Sequence, residues 1–297
     1  MSLSIKPIDP VSRAFFAGEV SGIDLTRPLS REQAEAIEAG MDQYGVLVFH
    51  DQHFTDETQL AFSRNFGELE TASGELNFGQ KRRLESDYVN DISNLDLENR
   101  VRAANDRKRL FSLGNRMWHS DSSFKEVPAK FSLLSARVIP SAGGNTEFAD
   151  MRAAYDSLDA ETRDECETLV CEHSQLYSRA VLGFTEFTEQ ERQRFKPVLQ
   201  RLVRTHPSTG RKSLYLASHA GAIVGWPVPE ARAFLRDLTE HATQRQFVYV
   251  HQWKQWDLVM WDNRATMHRA RPFPRHEVRD MHRTTVACER STMAEAA

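Results

Sequence analysis

Cysteine is scarce in this chain: only Cys166, Cys171 and Cys288 occur in 297 residues. An odd set without C-x-x-C spacing excludes a zinc ribbon or a disulfide frame and fits reduced, buried thiols. No stretch approaches the roughly 18 consecutive apolar residues of a membrane span; even the run Phe131 to Leu134 is interrupted by Ser132. The first residues carry Pro7 and Pro10 and lack the apolar core of a signal peptide, so the expected location is cytoplasmic, with no membrane partner. Basic excess is missing as well. With 38 Lys and Arg against 42 Asp and Glu, a net charge of -4 excludes a phosphate-backbone binder, and nucleic acid is not an expected partner. Internal repeats, low-complexity tracts and Pro/Gly/Ser linkers are absent, so residues 1–297 are expected to form one elaborated domain. What remains is 40% hydrophobic and 27% charged, a globular profile. The chain is long enough to bury roughly 75% of its unfolded surface.

Local signals divide the chain. Ser30-Arg-Glu-Gln33 has capping-box spacing, with Ala34, Ile37 and Met41 following at helical intervals until Gly45 offers a stop. Val46 to His50 is a short strand signal, and Thr55 caps a second amphipathic pattern. From about residue 73 to 109 charges are dense and apolar periodicity is weak, which predicts loop and short strand, a lid or binding loop being one reading and an unstructured excursion the other. Strand signals return over Phe131–Ile139 and Thr146–Ala149, Asp150 caps a helix, and helical patterns cover about 151–170 and 230–244. Strands are predicted over Leu202–Thr205, Lys212–Leu216, Phe247–Trp253 and Leu258–Trp261. The fold class is mainly β with helical insertions, α+β.

The tripeptide His119-Ser120-Asp121 places an imidazole and a carboxylate two residues apart, on one side of an extended chain and within reach of one metal ion. A third ligand is required, and His268 follows an apolar strand from which a folded-over barrel could return it to the pair. Two histidines and one carboxylate on one face of an octahedron leave three positions open, which suits non-haem Fe(II) binding a co-substrate and oxygen together. On these residues alone a structural reading stays open, with His119 bonded locally, Asp121 starting a turn and His268 solvated. Arg279 and Arg283, four apart, would share a strand face with Met281 and Thr285. Beside a metal, such a pair is a device for recognising carboxylates.

Several stretches carry a family resemblance: Trp118-His-Ser-Asp-Ser-Ser-Phe124, Gly143-Gly-Asn-Thr-Glu-Phe-Ala-Asp150, Asp257-Leu-Val-Met-Trp-Asp-Asn-Arg264 and Met267-His-Arg269. With Gly45–Phe49, Asp91–Asn94 and Val203–His206 they span nearly the whole chain, which resembles the Fe(II)/α-ketoglutarate-dependent dioxygenases of the taurine dioxygenase superfamily. Within it, the chain is most similar to the 2,4-dichlorophenoxyacetate dioxygenases. The resemblance implies a double-stranded β-helix, or jelly roll, with Fe(II), α-ketoglutarate and O2 as the reactive set. It makes His119, Asp121 and His268 the iron ligands and gives the distal carboxylate of α-ketoglutarate to Thr146 and Arg279. Arg283 would face the anionic head of a small organic acid, Asn115 would be a polar pocket position, and Trp118 would pack beside the metal. Hydroxylation of the carbon beside an aryloxyacetate's ether oxygen would then yield a phenol, glyoxylate, succinate and CO2.

Two departures stand out. Trp256 occupies a position where relatives have a turn glycine, and the loop from about 73 to 83, where substrate choice would be decided, matches poorly. Alternative readings keep the barrel: an alkylsulfonate (taurine-like) or alkylsulfate dioxygenase, a zinc hydrolase using the same ligands to activate water, or a small-acid binding protein. The sequence leaves oligomeric state open, a homo-oligomer included.

Overall fold

The structure, a computed structural model, describes residues 3–72 and 81–295. Strand β1 (Ser4–Pro7) pairs antiparallel with β2 (Gly18–Ser21). Helix α1 (Arg31–Tyr44) begins at the expected capping box: Ser30 Oγ accepts from the Gln33 N–H at 3.2 Å, and Gln33 Oε1 accepts from the Ser30 N–H at 2.9 Å. It stops at Gly45, whose φ of +67° lets its N–H reach the Met41 carbonyl. Strand β3 (Val46–Phe49) follows, then α2 (Asp56–Ser63) behind a Thr55 cap. Among its described residues the charged middle holds a short β4 (Asn90–Asp91) and α3 (Arg107–Ser112), while residues 73–80 of the expected lid lie outside the described residues.

Next come β5 (Ala129–Val138), β6 (Thr146–Asp150), α4 (Met151–Asp156) and α5 (Ala160–Thr168). The helical pattern over 151–170 is thus two helices, because Asp159 accepts from the Thr162 N–H at 2.9 Å and caps a new one. The chain continues through β7 (Val170–His173), α6 (Gln175–Val181), α7 (Glu189–Arg194), β8 (Val198–Arg201), β9 (Val203–Thr205), β10 (Lys212–Leu214) and β11 (Ala220–Ile223). Helix α8 (Val228–Ala242) precedes β12 (Val248–His251), β13 (Leu258–Asp262), β14 (Thr266–Ala270) and β15 (Asp280–Ala287).

Seven strands form one sheet in the order β1-β2-β3-β13-β5-β15-β4, and β12-β6-β14 form a second. Pairing is antiparallel except between β2 and β3. Val46, Val48, Leu134, Val259, Trp261 and Met281 of the large sheet pack with Phe148 of the small one. Leu47, Phe49, Leu133 and Met260 point the other way, into a cluster with Ile37, Met41 and Phe62 of the helices behind. Both faces are therefore buried, which is why 46–49 reads as an unbroken apolar run. Each fully buried Phe or Leu in these layers contributes roughly 1.5–3 kcal/mol of burial free energy. Further sheets, β11-β7-β8 and β10-β9, lie beside α4 and α8 over a third cluster that includes Met267. No helix among the described residues is long and apolar enough to cross a membrane.

Register irregularities between β5 and β15 place the extra residues, Arg137 and Lys130, on β5. Strand β15 therefore keeps its alternation. Met281, Arg283 and Thr285 face inward with Arg279, while His282 meets α2, its Nδ1 lying 2.5 Å from Asp56 Oδ1. Burial pulls the His282 imidazole down, but Asp280 and Asp56 outweigh it and raise its pKa above the ordinary value of 6.5. A raised histidine stabilises fully below its unfolded pKa, and that stabilisation is lost as pH rises through the folded one. The Tm advantage of the wild type over His282→Gln is therefore expected to shrink between pH 6 and 8.5; a difference that does not change with pH would contradict the assignment.

At Trp256 the chain adopts φ +68°, the left-handed region that favours glycine. The turn is held by Trp256 N–H to the Ala136 carbonyl at 2.9 Å and Gln52 N–H to the Trp256 carbonyl at 2.7 Å, and the indole lies 4.7 Å from the His53 ring. The departure in sequence thus keeps the turn and costs about 1–2 kcal/mol of backbone strain.

Candidate metal centre

Backbone pairing brings the proposed ligands together across the fold. His119 and His268 form an isolated antiparallel bridge, with N–H to carbonyl distances of 3.0 and 2.8 Å. Ser120 turns away between them and donates to the Leu216 and Thr266 carbonyls, so His119 and Asp121 share the inner side as the two-residue period predicts. His119 Nε2 lies 3.9 Å from Asp121 Oδ1, and His268 Nε2 lies 3.7 Å from Asp121 Oδ2. These separations are too long for hydrogen bonds, yet one ligand atom from each of the three residues falls within 4.8 Å of the others. That is the spacing of groups that share an ion.

The protonation states fit. Burial lowers the His119 imidazole, and burial followed by the charge of His119 lowers His268 further, so both are neutral near pH 7. His119 Nδ1 lies 2.7 Å from the Met117 carbonyl, which fixes the proton there and leaves Nε2 as the lone-pair donor. Burial alone would raise the Asp121 carboxyl, but the charge of Arg283, helped by the hydrogen bond from Ser132, holds it well below the usual range.

Asp121 is also the centre of a closed hydrogen-bond ring. Asn263 Oδ1 accepts from the Asp121 N–H at 3.0 Å and from Trp261 Nε1 at 3.1 Å, while its Nδ2 donates to Ser132 Oγ at 2.9 Å. Ser132 in turn donates to Asp121 Oδ2 at 2.7 Å. Every member of the ring is buried, so the carboxylate is held in place before any ion binds.

Arg283 Nη1 donates to Asp121 Oδ1 at 2.5 Å, and its Nε is buried without a partner. The sequence placed this guanidinium towards a substrate; the structure puts it on the ligand carboxylate while it also lines the cleft. Arg279 is buried in the same cleft, where burial pushes its guanidinium down to about 10; the Phe273 ring lies 5.9 Å away, and no carboxylate among the described residues pairs with it. A buried guanidinium without a carboxylate is a receptor for an anion. Thr146 Oγ1 accepts from Trp253 Nε1 at 3.0 Å, which leaves its own proton to donate. Gly143, at φ +71°, makes the turn before it, and a Cβ there would meet the Pro272 carbonyl at 2.4 Å.

His119, Asp121, Thr146, His268, Arg279 and Arg283 line a cleft of about 220 Å³ that also includes Asn115, Phe111, Phe124, Leu134 and Trp261. Trp118 is buried behind it, with the Arg269 guanidinium 4.5 Å from its ring centre. His219 lines the cleft too, 6.1 Å ring to ring from His119, with Nδ1 2.9 Å from Ser178 Oγ. Arg83 ties the segment after residue 80 to β15 through Asp91 at 2.8 Å and Asp280 at 2.5 Å. Sequence reading assigned no role to Ser132, His219, Trp253 or Arg83, and quoted Asn263 only within a motif.

Residues 4–285 match the family described as "Taurine catabolism dioxygenase TauD, TfdA family". A 2,4-dichlorophenoxyacetate dioxygenase, described as α-ketoglutarate-dependent, from Cupriavidus pinatubonensis is 44% identical, with 96% of this chain and 98% of that protein covered. An (S)-phenoxypropionate/α-ketoglutarate dioxygenase from Sphingobium herbicidovorans is 37% identical over 96% of this chain and 95% of its own length. Among solved structures, AAD-2 in complex with Mn(II) and N-oxalylglycine superposes with a TM-score of 0.94 at 58% identity, covering 98% of this chain and all of that one.

Proposed function

This chain belongs to the TauD, TfdA family of taurine catabolism dioxygenases, and from that premise we propose that it is an Fe(II)- and α-ketoglutarate-dependent dioxygenase acting on aryloxyacetates of the 2,4-dichlorophenoxyacetate kind. The observation that carries this reading is the meeting, in one cleft, of a neutral His119, an ionised Asp121 and a neutral His268 with a buried Arg279 that lacks a carboxylate.

His119, Asp121 and His268 would hold the iron, with the His119 lone pair set by the Met117 carbonyl and the Asp121 carboxylate set by the Asn263–Ser132 ring. Arg279 and the free proton of Thr146 grip the distal carboxylate of α-ketoglutarate. With O2 and α-ketoglutarate, iron supplies the oxidising power that hydroxylates a carbon–hydrogen bond as α-ketoglutarate becomes succinate and CO2. Arg283, whose Nε is unpartnered, takes the substrate carboxylate and so aims the adjacent CH2 at the centre, with Asn115 beside it. Phe111, Phe124 and Leu134 supply apolar wall for an aryl ring and exclude water. Hydroxylation beside the ether oxygen gives a hemiacetal, which expels the phenol and leaves glyoxylate.

The two sheets are read as the faces of a double-stranded β-helix within one domain, with the segment after residue 80 as its cover and the cytoplasm as its location. Side-by-side turnover of phenoxyacetate, taurine and an alkyl sulfate tests the substrate class: phenol release with the highest kcat/KM is expected, and preferential sulfite or sulfate release would replace it with the sulfonate or sulfate-ester reading. Arg283→Ala is expected to raise the KM for the aryloxyacetate by roughly 30-fold or more, the cost of removing one partner of a buried charge pair. A KM within threefold of wild type would remove Arg283 from that role.

A further inference from the structure

The cleft has a charge balance opposite to that of the chain. Among the described residues, ten Lys and Arg line it against two carboxylates, Asp91 and Asp121, on a protein of net charge -4. Neither carboxylate is free to neutralise the mouth, since Arg83 pairs with Asp91 and Arg283 with Asp121. Arg109, Arg116 and Arg275 stand at the outer end, and none of them makes an ion pair with a carboxylate among the described residues; the Arg109 guanidinium donates to the Ala104 carbonyl. They come from α3, from the turn after it and from the loop before β15, three segments with no local reason to place like charges together. Their proximity registers in Arg116, whose guanidinium is lowered by burial and then by the charges of Arg109 and Arg275. Gathering like charges without counter-ions costs stability, and a low-dielectric cleft focuses the resulting field.

We propose that Arg109, Arg116 and Arg275 form an outer anion-collecting site at the cleft mouth, which concentrates small dicarboxylates and passes them inward to Arg279. The inference rests on the α-ketoglutarate reading above and adds a function for three residues outside the set proposed to hold the metal and the co-substrate. A field acts on valence, so a dianion is favoured over a monoanionic acid, and it is screened by salt, whereas buried Arg279 is screened much less.

The test is calorimetric titration of α-ketoglutarate into the Mn(II)-loaded protein at about 20 mM and about 500 mM salt. It compares wild type with the triple variant Arg109→Gln, Arg116→Gln, Arg275→Gln. At low salt the triple variant is expected to bind about tenfold more weakly, and at high salt the two dissociation constants are expected to converge. Phenoxyacetate, carrying one charge, is expected to shift by about half as much on a logarithmic scale. Equal affinities at low salt, a defect that persists at high salt, or equal shifts for both acids would overturn the proposal, the last two marking local structural damage or direct contact. Failure of wild type to bind α-ketoglutarate at either salt would instead refute the co-substrate reading itself.

Discussion

Arg279→Leu is expected to weaken α-ketoglutarate binding by roughly 30-fold to several thousand-fold and, at the same time, to raise the Tm of the metal-free protein. The first effect follows from removing one half of a buried, hydrogen-bonded charge pair, which costs about 2–5 kcal/mol. The second follows from the free state. Arg279 is 6% exposed, and its guanidinium is pushed down to about 10 by burial alone. A base whose pKa is lowered by folding destabilises the fold while it is charged, so the penalty is complete below about pH 10 and relieved only above it. Leucine removes that penalty at neutral pH and keeps apolar volume, while the backbone N–H at 279 still donates to Asn94 Oδ1 at 2.9 Å. A gain of about 1–2 kcal/mol, or roughly 2–5 °C, is expected. Thermal melts of the metal-free protein and the KM for α-ketoglutarate check both effects. A lower Tm with an unchanged KM would show that Arg279 is a structural cation instead of an anion receptor.

His119→Ala is expected to abolish iron-dependent turnover with the fold retained. The imidazole is one of the three groups proposed to hold the metal, and its loss would leave Asp121 and His268 to hold the ion alone. The fold survives because the bridge between 119 and 268 is made by backbone groups, which alanine also provides. The Asn263–Ser132 ring likewise holds Asp121 without help from His119. The side chain itself is small and buried, so about 1–3 kcal/mol of stability is at stake. Metal content after gel filtration, the melting curve and succinate formation together check the prediction. Full activity in the variant would remove His119 from the metal centre.

How much of this was legible in the sequence depends on how local each cause is. Ser30 with Gln33, Thr55 and Asp150 mark helix starts because the bonds they make span two or three residues. Asp159 and Thr162 carry the same signal, but it sits inside a longer helical pattern that masks the break between the two helices. The His119–Asp121 pair follows from strand alternation, and the shared face of Arg279 and Arg283 survived because the extra residues fell on β5. His268 is a candidate from its place after an apolar strand and becomes a ligand only through the family resemblance, since nothing local says that residues 119 and 268 are bridged. Bonds across the fold left no pattern to read: Asn263 to Ser132, Trp253 to Thr146, and Arg83 to Asp280, 197 residues apart. Trp256 was noticed as a departure from glycine, and its positive φ shows that the turn shape is set by the flanking strand pairing more than by the residue in it.

The most direct test of the central claim is the stoichiometry of products from anaerobically iron-loaded protein, given O2 and α-ketoglutarate with and without 2,4-dichlorophenoxyacetate. Succinate and phenol should appear one for one, and both should depend on added iron. Succinate without phenol would keep the oxygenase and reject the aryloxyacetate, and no succinate with any acid would contradict the account of the site.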